Sequence, residues 1–424
     1  MLVKRLIVFS VVLTYLYTLV FGIFMTDIFR VPAPVVLGIL LLPFIKAPVQ
    51  HFAYYKECIF IIIALFLYYI VGMADYKAFF ANVITIITCA FYFNHFVGLN
   101  KRRFNISVVI IFLLLSLSML LMILDHTQQG IIDPLRSTML GEPVKQSPSG
   151  LATTQFTFGY QIATFTAFAF VATFTFRLHA IIKVIVFFAC IVCLYLGMNR
   201  SAFISFAVAV VIFIFIYYKF KAVLLLAAAT IICFLSYTYL LKDTLDSKNN
   251  ILSKNEAKGA NDFNRANMAE ENLKICADYP FGLIFYGKTW EDVTYRNPLF
   301  TFGLTSHNAY LMFITYLGPF LGLGLLGAIY YRITRLSREI MQHVKLRSNA
   351  LMPALCFSFI AVSLNALSHN GWLMSADGPT LFLYFGVMQG AKIYAQQQNS
   401  TESSEMLESS ENSAAQDRLQ TLVL

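Results

Sequence analysis

The sequence predicts an all-α, polytopic membrane protein of about 12 transmembrane helices, with one large, partly helical loop on its outer side. Three observations carry that expectation. Of 424 residues, 58% are hydrophobic and only 12% charged, with a mean hydropathy of +0.70, where a soluble domain carries about 25% charge. Apolar runs repeatedly reach the roughly 20 residues needed to cross about 30 Å of hydrocarbon. No long alternating strands of the kind an outer-membrane barrel requires are present, so the spans are helices, which satisfy their own backbone groups.

The predicted spans lie at about 6–24, 32–46, 57–73, 78–98, 104–124, 156–176, 179–197, 201–218, 221–241, 308–331, 350–367 and 379–394. The second is short and holds Pro32, Pro34 and Pro43. The first follows Lys4-Arg5, has no small-x-small cleavage site and is followed by further spans, so it reads as an uncleaved anchor. Together, 1–394 form the membrane domain, 242–305 the large loop within it, and 395–424 a disordered tail rich in Ser, Glu and Gln.

Lys and Arg in the short loops set the orientation. Lys4 and Arg5, Lys101-Arg102-Arg103, Arg177, Lys219 and Lys221, and the run from Arg332 to Arg347 alternate onto one side across twelve spans. That side is expected to be cytoplasmic, with Arg332 to Asn349 as a basic linker. The net charge of +9 is then topology signal and lipid contact. A basic cluster without interleaved aromatics gives no nucleic-acid surface. Seven cysteines are scattered. Cys190-x-x-Cys193 has redox or metal spacing, but it stands among Phe, Ile, Val and Leu and reads as packing.

Two outer segments carry most of the polarity. Asp125 to Gln155 holds Pro134, Pro143 and Ser147-Pro148-Ser149-Gly150, which mark turns, with Asp133, Arg136 and Glu142 on a solvated face. In 242–305, Phe263, Ala266, Ala269, Leu273 and Cys276 recur at three- and four-residue steps, predicting an amphipathic helix stopped by Pro280 and Gly282. Arg265 stands in its first turn, where the helix dipole disfavours a cation.

The chemistry gathers where outer loops meet membrane helices. Ser306-His307-Asn308 precedes a long apolar run containing Gly318-Pro319, Gly322, Gly324 and Gly327. Arg200 begins the eighth span; it is either a snorkelling interfacial anchor or a residue facing the site. No HExxH or HxxH spacing, GxSxG or Walker lysine is present, so no metal or cofactor is expected. One histidine with two or three arginines makes a base beside an anion clamp. Arginine's planar fork suits a diphosphate, and a neutral histidine can accept a hydroxyl proton. His307 can equally be read as a helix-capping or interface residue. A site facing the bilayer implies a lipid diphosphate whose tail stays in the membrane. A transporter or flippase is the competing class, against which the inner spans offer few charges to form a pathway.

The chain resembles the O-antigen ligase and polymerase superfamily in three segments, in order. Asn199-Arg200-Ser201-Ala202 looks like that family's span start, although Asn199 stands where Ser or Thr is commoner. Arg265 followed by Asp278-Tyr279-Pro280-Phe281-Gly282 looks like its second segment, and His307-Asn308-Ala309-Tyr310-Leu311 followed by Gly318 like its third. The resemblance covers about 190–330. It implies a GT-C-like helical fold in the bacterial inner membrane and a periplasmic site. It also implies metal-independent transfer from an undecaprenyl-diphosphate-linked glycan to lipid A-core or to a second lipid-linked glycan. By that likeness His307 is the catalytic base, Arg200 and Arg265 bind the diphosphate, and Arg136 and Asn308 are further substrate-binding candidates. Family polymerases often carry R-x10-G loops. Eleven residues after Arg200, Arg265 and Arg296 stand Val211, Cys276 and His307, which favours the ligase.

Overall fold

A computed structural model describes residues 2–22, 33–44, 51–236 and 265–397. The described residues are helical and contain no strand, and the all-α membrane architecture holds. Six helices are long and apolar enough to cross a membrane: Tyr55–Gly72, Tyr76–Val97, Lys101–Leu140, Gln155–Thr175, Arg200–Tyr218 and Leu351–Ser368. Shorter apolar helices lie at Arg5–Phe21 and Ala180–Leu196.

In chain order the helices are α1 (Leu2–Phe21), α2 (Ala33–Leu40), α3 (Tyr55–Leu65, widening into a π-helical turn over Phe66–Gly72), α4 (Tyr76–Phe91, widening likewise over Tyr92–Val97) and α5 (Lys101–Leu140). They continue with α6 (Gln155–Thr175), α7 (Ala180–Leu196), α8 (Arg200–Tyr218), α9 (Lys221–Ser236), α10 (Arg265–Asp278), the short α11 (Trp290–Thr294), α12 (Ala309–Leu317), α13 (Pro319–Gln342) and α14 (Leu351–Asn365). A last helix, α15, covers 378–397. The tail beyond 397, and most of the first half of the large loop, lie outside the described residues.

Three boundaries differ from the expectation. Helix α5 does not stop at 124 but continues to Leu140 past a kink at Gln128 (φ −139°, ψ 45°), with Pro134 inside its second part. The tenth span is not continuous. Gly318, at φ +81°, ends α12, and Pro319, whose missing N–H suits a first turn, begins α13. The expected linker from Arg332 is mostly helical, because α13 runs to Gln342. There Arg332 reaches back to the buried Glu57 at 3.2 Å and to the Ala53 carbonyl at 2.8 Å.

Helices α6, α8 and α14 pack closely on one another, and they run so that one end of the bundle gathers their polar termini. Gln155, Arg200 and Asn365 stand at that end. At the other end Arg177 donates to the Lys345 carbonyl (3.0 Å), and Lys345 lies 5.2 Å from the Tyr217 ring. The 21 residues of α6 separate the two ends by about 30 Å at 1.5 Å per residue, the thickness of a bilayer core.

Candidate functional site

Local sequence explains how α8 begins. Asn199 caps it: its carboxamide oxygen accepts from Ala202 N–H (3.0 Å) while its amide donates to the Gln155 carbonyl (2.9 Å). A serine or threonine hydroxyl could also cap the helix, but its one oxygen would have to accept the cap N–H and donate toward α6, whereas the longer asparagine amide does the two with separate atoms. The departure from the family pattern is therefore a tie between two helices. Arg200 follows as the first helical residue and is half-buried. A cation there sits at the positive end of the helix dipole, so the dipole does not explain its placement.

The His307 turn is built from both sides. Ser306 is buried and accepts from Asn272 (2.8 Å). Thr305 Oγ1 accepts from the His307 N–H (3.4 Å) and from Asn370 (2.7 Å). His307 itself lies in the left-handed region at φ +52°, a conformation costing an L-residue about 1–2 kcal/mol. Asn308 caps α12 by accepting from Leu311 N–H (3.0 Å), and Ala309 N–H donates to the His369 carbonyl (3.1 Å). The left-handed step takes His307 out of helical register. Its half-buried ring lies nearly parallel to Phe156 (13°, centroids 6.4 Å apart). The Asn308 side-chain oxygen is committed to the helix cap.

The loop helix α10 ends at Asp278, as Pro280 and Gly282 predict, but its inward face differs. Leu273 is 57% exposed, and Met268, Asn272 and Ile275 are buried. Met268 and Ile275 join the apolar core, while at Asn272 the surface is polar: the Asn272 amide donates to Ser306, and its oxygen accepts from Thr315 of α12. Gly282 (φ +96°) lies against the break between α12 and α13, where a Cβ on it would stand 2.2 Å from the Gly318 nitrogen. A Cβ on Gly318 would stand 2.3 Å from the Phe281 carbonyl. Only glycine permits both the backbone angles and this approach. Arg265 is the first residue of α10; its side chain lies outside the described residues.

The residue that sequence reasoning passed over is His369. Its ring packs edge-on to Phe156 (centroids 5.3 Å) and its Nε2 lies 2.7 Å from Ser201 Oγ. Ser201 Oγ is also 2.7 Å from Asn199 Oδ1 and from Asn365 Oδ1. One hydroxyl proton cannot serve three partners. The two other bonds of Asn199 fix its amide orientation, so Ser201 donates to Asn199. His369 then donates from Nε2. The Asn365 amide turns its nitrogen toward Ser201, which satisfies an Nδ2 otherwise buried without a partner. His369 thus joins the residue after Arg200 to the turn that holds His307. A histidine beside Asn370-Gly371 in the last outer turn was the available signal, and it belongs to no motif.

Arg136 is not on a solvated face. It is fully buried, bonded to Asp125 (2.8 Å), Ser147 (3.1 Å) and Ser149 (2.9 Å), with Asp133 at 3.4 Å. It braces the 141–154 loop, where the Ser147 carbonyl in turn accepts from Gln155 (2.9 Å) at the start of α6. Cys190 and Cys193 are buried free thiols, and no group of three or more potential metal ligands lies among the described residues.

Asp377 caps α15, accepting from Thr380 N–H (3.0 Å) and from the Thr380 hydroxyl. Burial pushes its pKa up to about 6 even though both Thr380 bonds pull it down. The folded protein then holds a proton that the unfolded chain releases near pH 4. The contribution is fully present below about pH 4 and is lost as pH rises through about 6. Thermal melts from pH 4 to 7 should show a declining midpoint. Asp377→Asn, which keeps an acceptor for the cap, should flatten that decline; an unchanged slope would remove Asp377 as its source.

Residues 185–332 match the family model described as O-antigen ligase, and the match supports the O-antigen ligase and polymerase superfamily for this chain. Members of that family are glycosyltransferase-like enzymes. The matched stretch contains Arg200, Arg265, His307 and Asn308, while Arg136 and His369 lie outside it. No curated protein matches the chain.

Proposed function

We propose that this membrane glycosyltransferase is an O-antigen ligase. It moves a preassembled polysaccharide from undecaprenyl diphosphate to a lipid A-core acceptor at the periplasmic face of the inner membrane. One observation carries the reading: segments more than a hundred residues apart converge at one end of the bundle. Ser201, beside Arg200, bonds His369; His369 holds the first residue of α12; and α10, headed by Arg265, docks on Ser306 and Thr315. The basic helix ends lie at the opposite end, which by the distribution of Lys and Arg is the cytoplasmic one.

In this reading His307 accepts the proton of the acceptor hydroxyl as that oxygen bonds to the anomeric carbon. The carbon–oxygen bond to the diphosphate breaks, and Arg200 and Arg265 stabilise the charge that gathers on the leaving group. Asn308 sets the start of α12, Arg136 acts through the loop it braces, and His369 is a positioning residue. No step calls for a metal. Arg200→Lys and Arg265→Lys should each lower transfer about tenfold to a hundredfold, because an ammonium cannot replace a bidentate contact worth about 1.5–3 kcal/mol. Two Lys variants with wild-type rates and normal expression would make both arginines interfacial anchors.

The absence of R-x10-G spacing favours the ligase, and a deletion strain decides between ligase and polymerase. Loss of all polymer bands from lipopolysaccharide, with lipid-linked polymer accumulating, is the expected result. Core carrying a single repeat would make the protein the polymerase. An unchanged glycan profile would argue against both.

A further inference from the structure

At the end of the bundle away from His307, a cavity of about 630 Å³ opens between α1 and α5. Three arginines line it: Arg5, Arg102 and Arg103. Arg103 is held in place by neutral groups only, lying 4.7 Å from the Phe96 ring and donating to the backbone carbonyls of Phe96 and Phe44. Arg5 and Arg102 are exposed. Among the described residues no carboxylate pairs with any of the three, and none lines the cavity. The remaining wall is largely apolar, and two of its side chains, Phe9 (49% exposed) and Ile106 (38% exposed), face outward where lipid chains would lie.

Three guanidinium groups at one mouth, with no carboxylate partner among the described residues, call for an anion, and the apolar wall calls for hydrocarbon. A free phosphate would leave the wall wet, and a neutral lipid would leave the charges unpaired. We infer that this cavity is a binding site for an anionic phospholipid, its phosphate held by Arg5, Arg102 and Arg103 and one acyl chain lying along Phe9 and Ile106. Basic pockets between membrane helices bind anionic head groups in this way. The volume falls within the range of small-ligand sites, about 300–1,000 Å³.

The test uses the full chain in phosphatidylcholine nanodiscs doped with increasing phosphatidylglycerol, with bound lipid counted by native mass spectrometry. Saturable retention of phosphatidylglycerol over phosphatidylcholine is expected. Arg5→Gln and Arg102→Gln, both at exposed positions, should each weaken it about fivefold. Ile106→Trp, which fills the groove with the arginines intact, should weaken it as well. Equal retention of the two lipids would overturn the proposal. So would wild-type affinity in the double arginine variant or in Ile106→Trp, or displacement by inorganic phosphate as readily as by phosphatidylglycerol. Glycan transfer does not enter the measurement, so its outcome is independent of the function proposed for His307.

Discussion

Arg136→Ala is expected to lower stability by about 3–5 kcal/mol, the range for breaking a buried ion pair by removing one partner. Arg136 is fully buried, and the side chain of its partner Asp125 is 1% exposed. Alanine would leave the Asp125 carboxylate without its 2.8 Å counter-charge, and Ser147 and Ser149 without a shared donor. The Arg136→Met, Asp125→Leu pair should recover much of the loss, since replacing both charges by apolar groups of similar size is often neutral. Denaturation in detergent, by heat or denaturant, measures both variants. A single variant as stable as wild type would mean that the pair is wet. If Arg136 instead touched substrate, Arg136→Ala would fold normally and fail only in transfer.

His307→Ala is expected to insert, fold and still bind the lipid-linked donor while transferring about 10²- to 10⁴-fold more slowly, the usual contribution of a positioned general base. Two features of the turn motivate this expectation. The cap of α12 is supplied by Asn308 and the first N–H of the helix by the His369 carbonyl, so the His307 ring is not needed to start the helix. The turn also holds His307 at φ +52°, a conformation that glycine adopts without the same cost. A histidine acting as the base would accept that backbone cost for the sake of its ring. Donor retention by the purified variant separates loss of chemistry from loss of binding.

Much of this architecture was legible because membrane helices announce themselves by length and apolarity. The failures concern which partner each side chain meets and where an apolar run breaks, neither of which hydropathy reports. Arg136 reads as a solvated charge, but a kink at Gln128 lets the chain fold it onto Asp125, and α5 continues past them. Periodicity counts apolar residues and so turns Leu273 inward on α10, whereas Ser306 and Thr315 select Asn272 between the buried Met268 and Ile275. The Gly318-Pro319 break was written in the sequence but hidden by the apolar run on both sides. Three motif segments were readable because each is local. Their convergence was not, because it passes through Ser201, His369 and the close approach of Gly282 to Gly318.

The central claim, that His307 takes the proton in glycan transfer, is met most directly by the rate of the His307→Gln enzyme. Purified protein would be supplied with lipid-linked polysaccharide and lipid A-core in the presence of EDTA, with transfer followed from about pH 5 to 9 around the histidine reference value. Glutamine keeps a hydrogen-bonding side chain in the turn but cannot take a proton. Wild-type activity that rises through one ionisation, ignores EDTA and falls at least a hundredfold in His307→Gln is the expected result. Near-normal turnover by His307→Gln would contradict the account and leave the arginines, not the histidine, as the heart of the site.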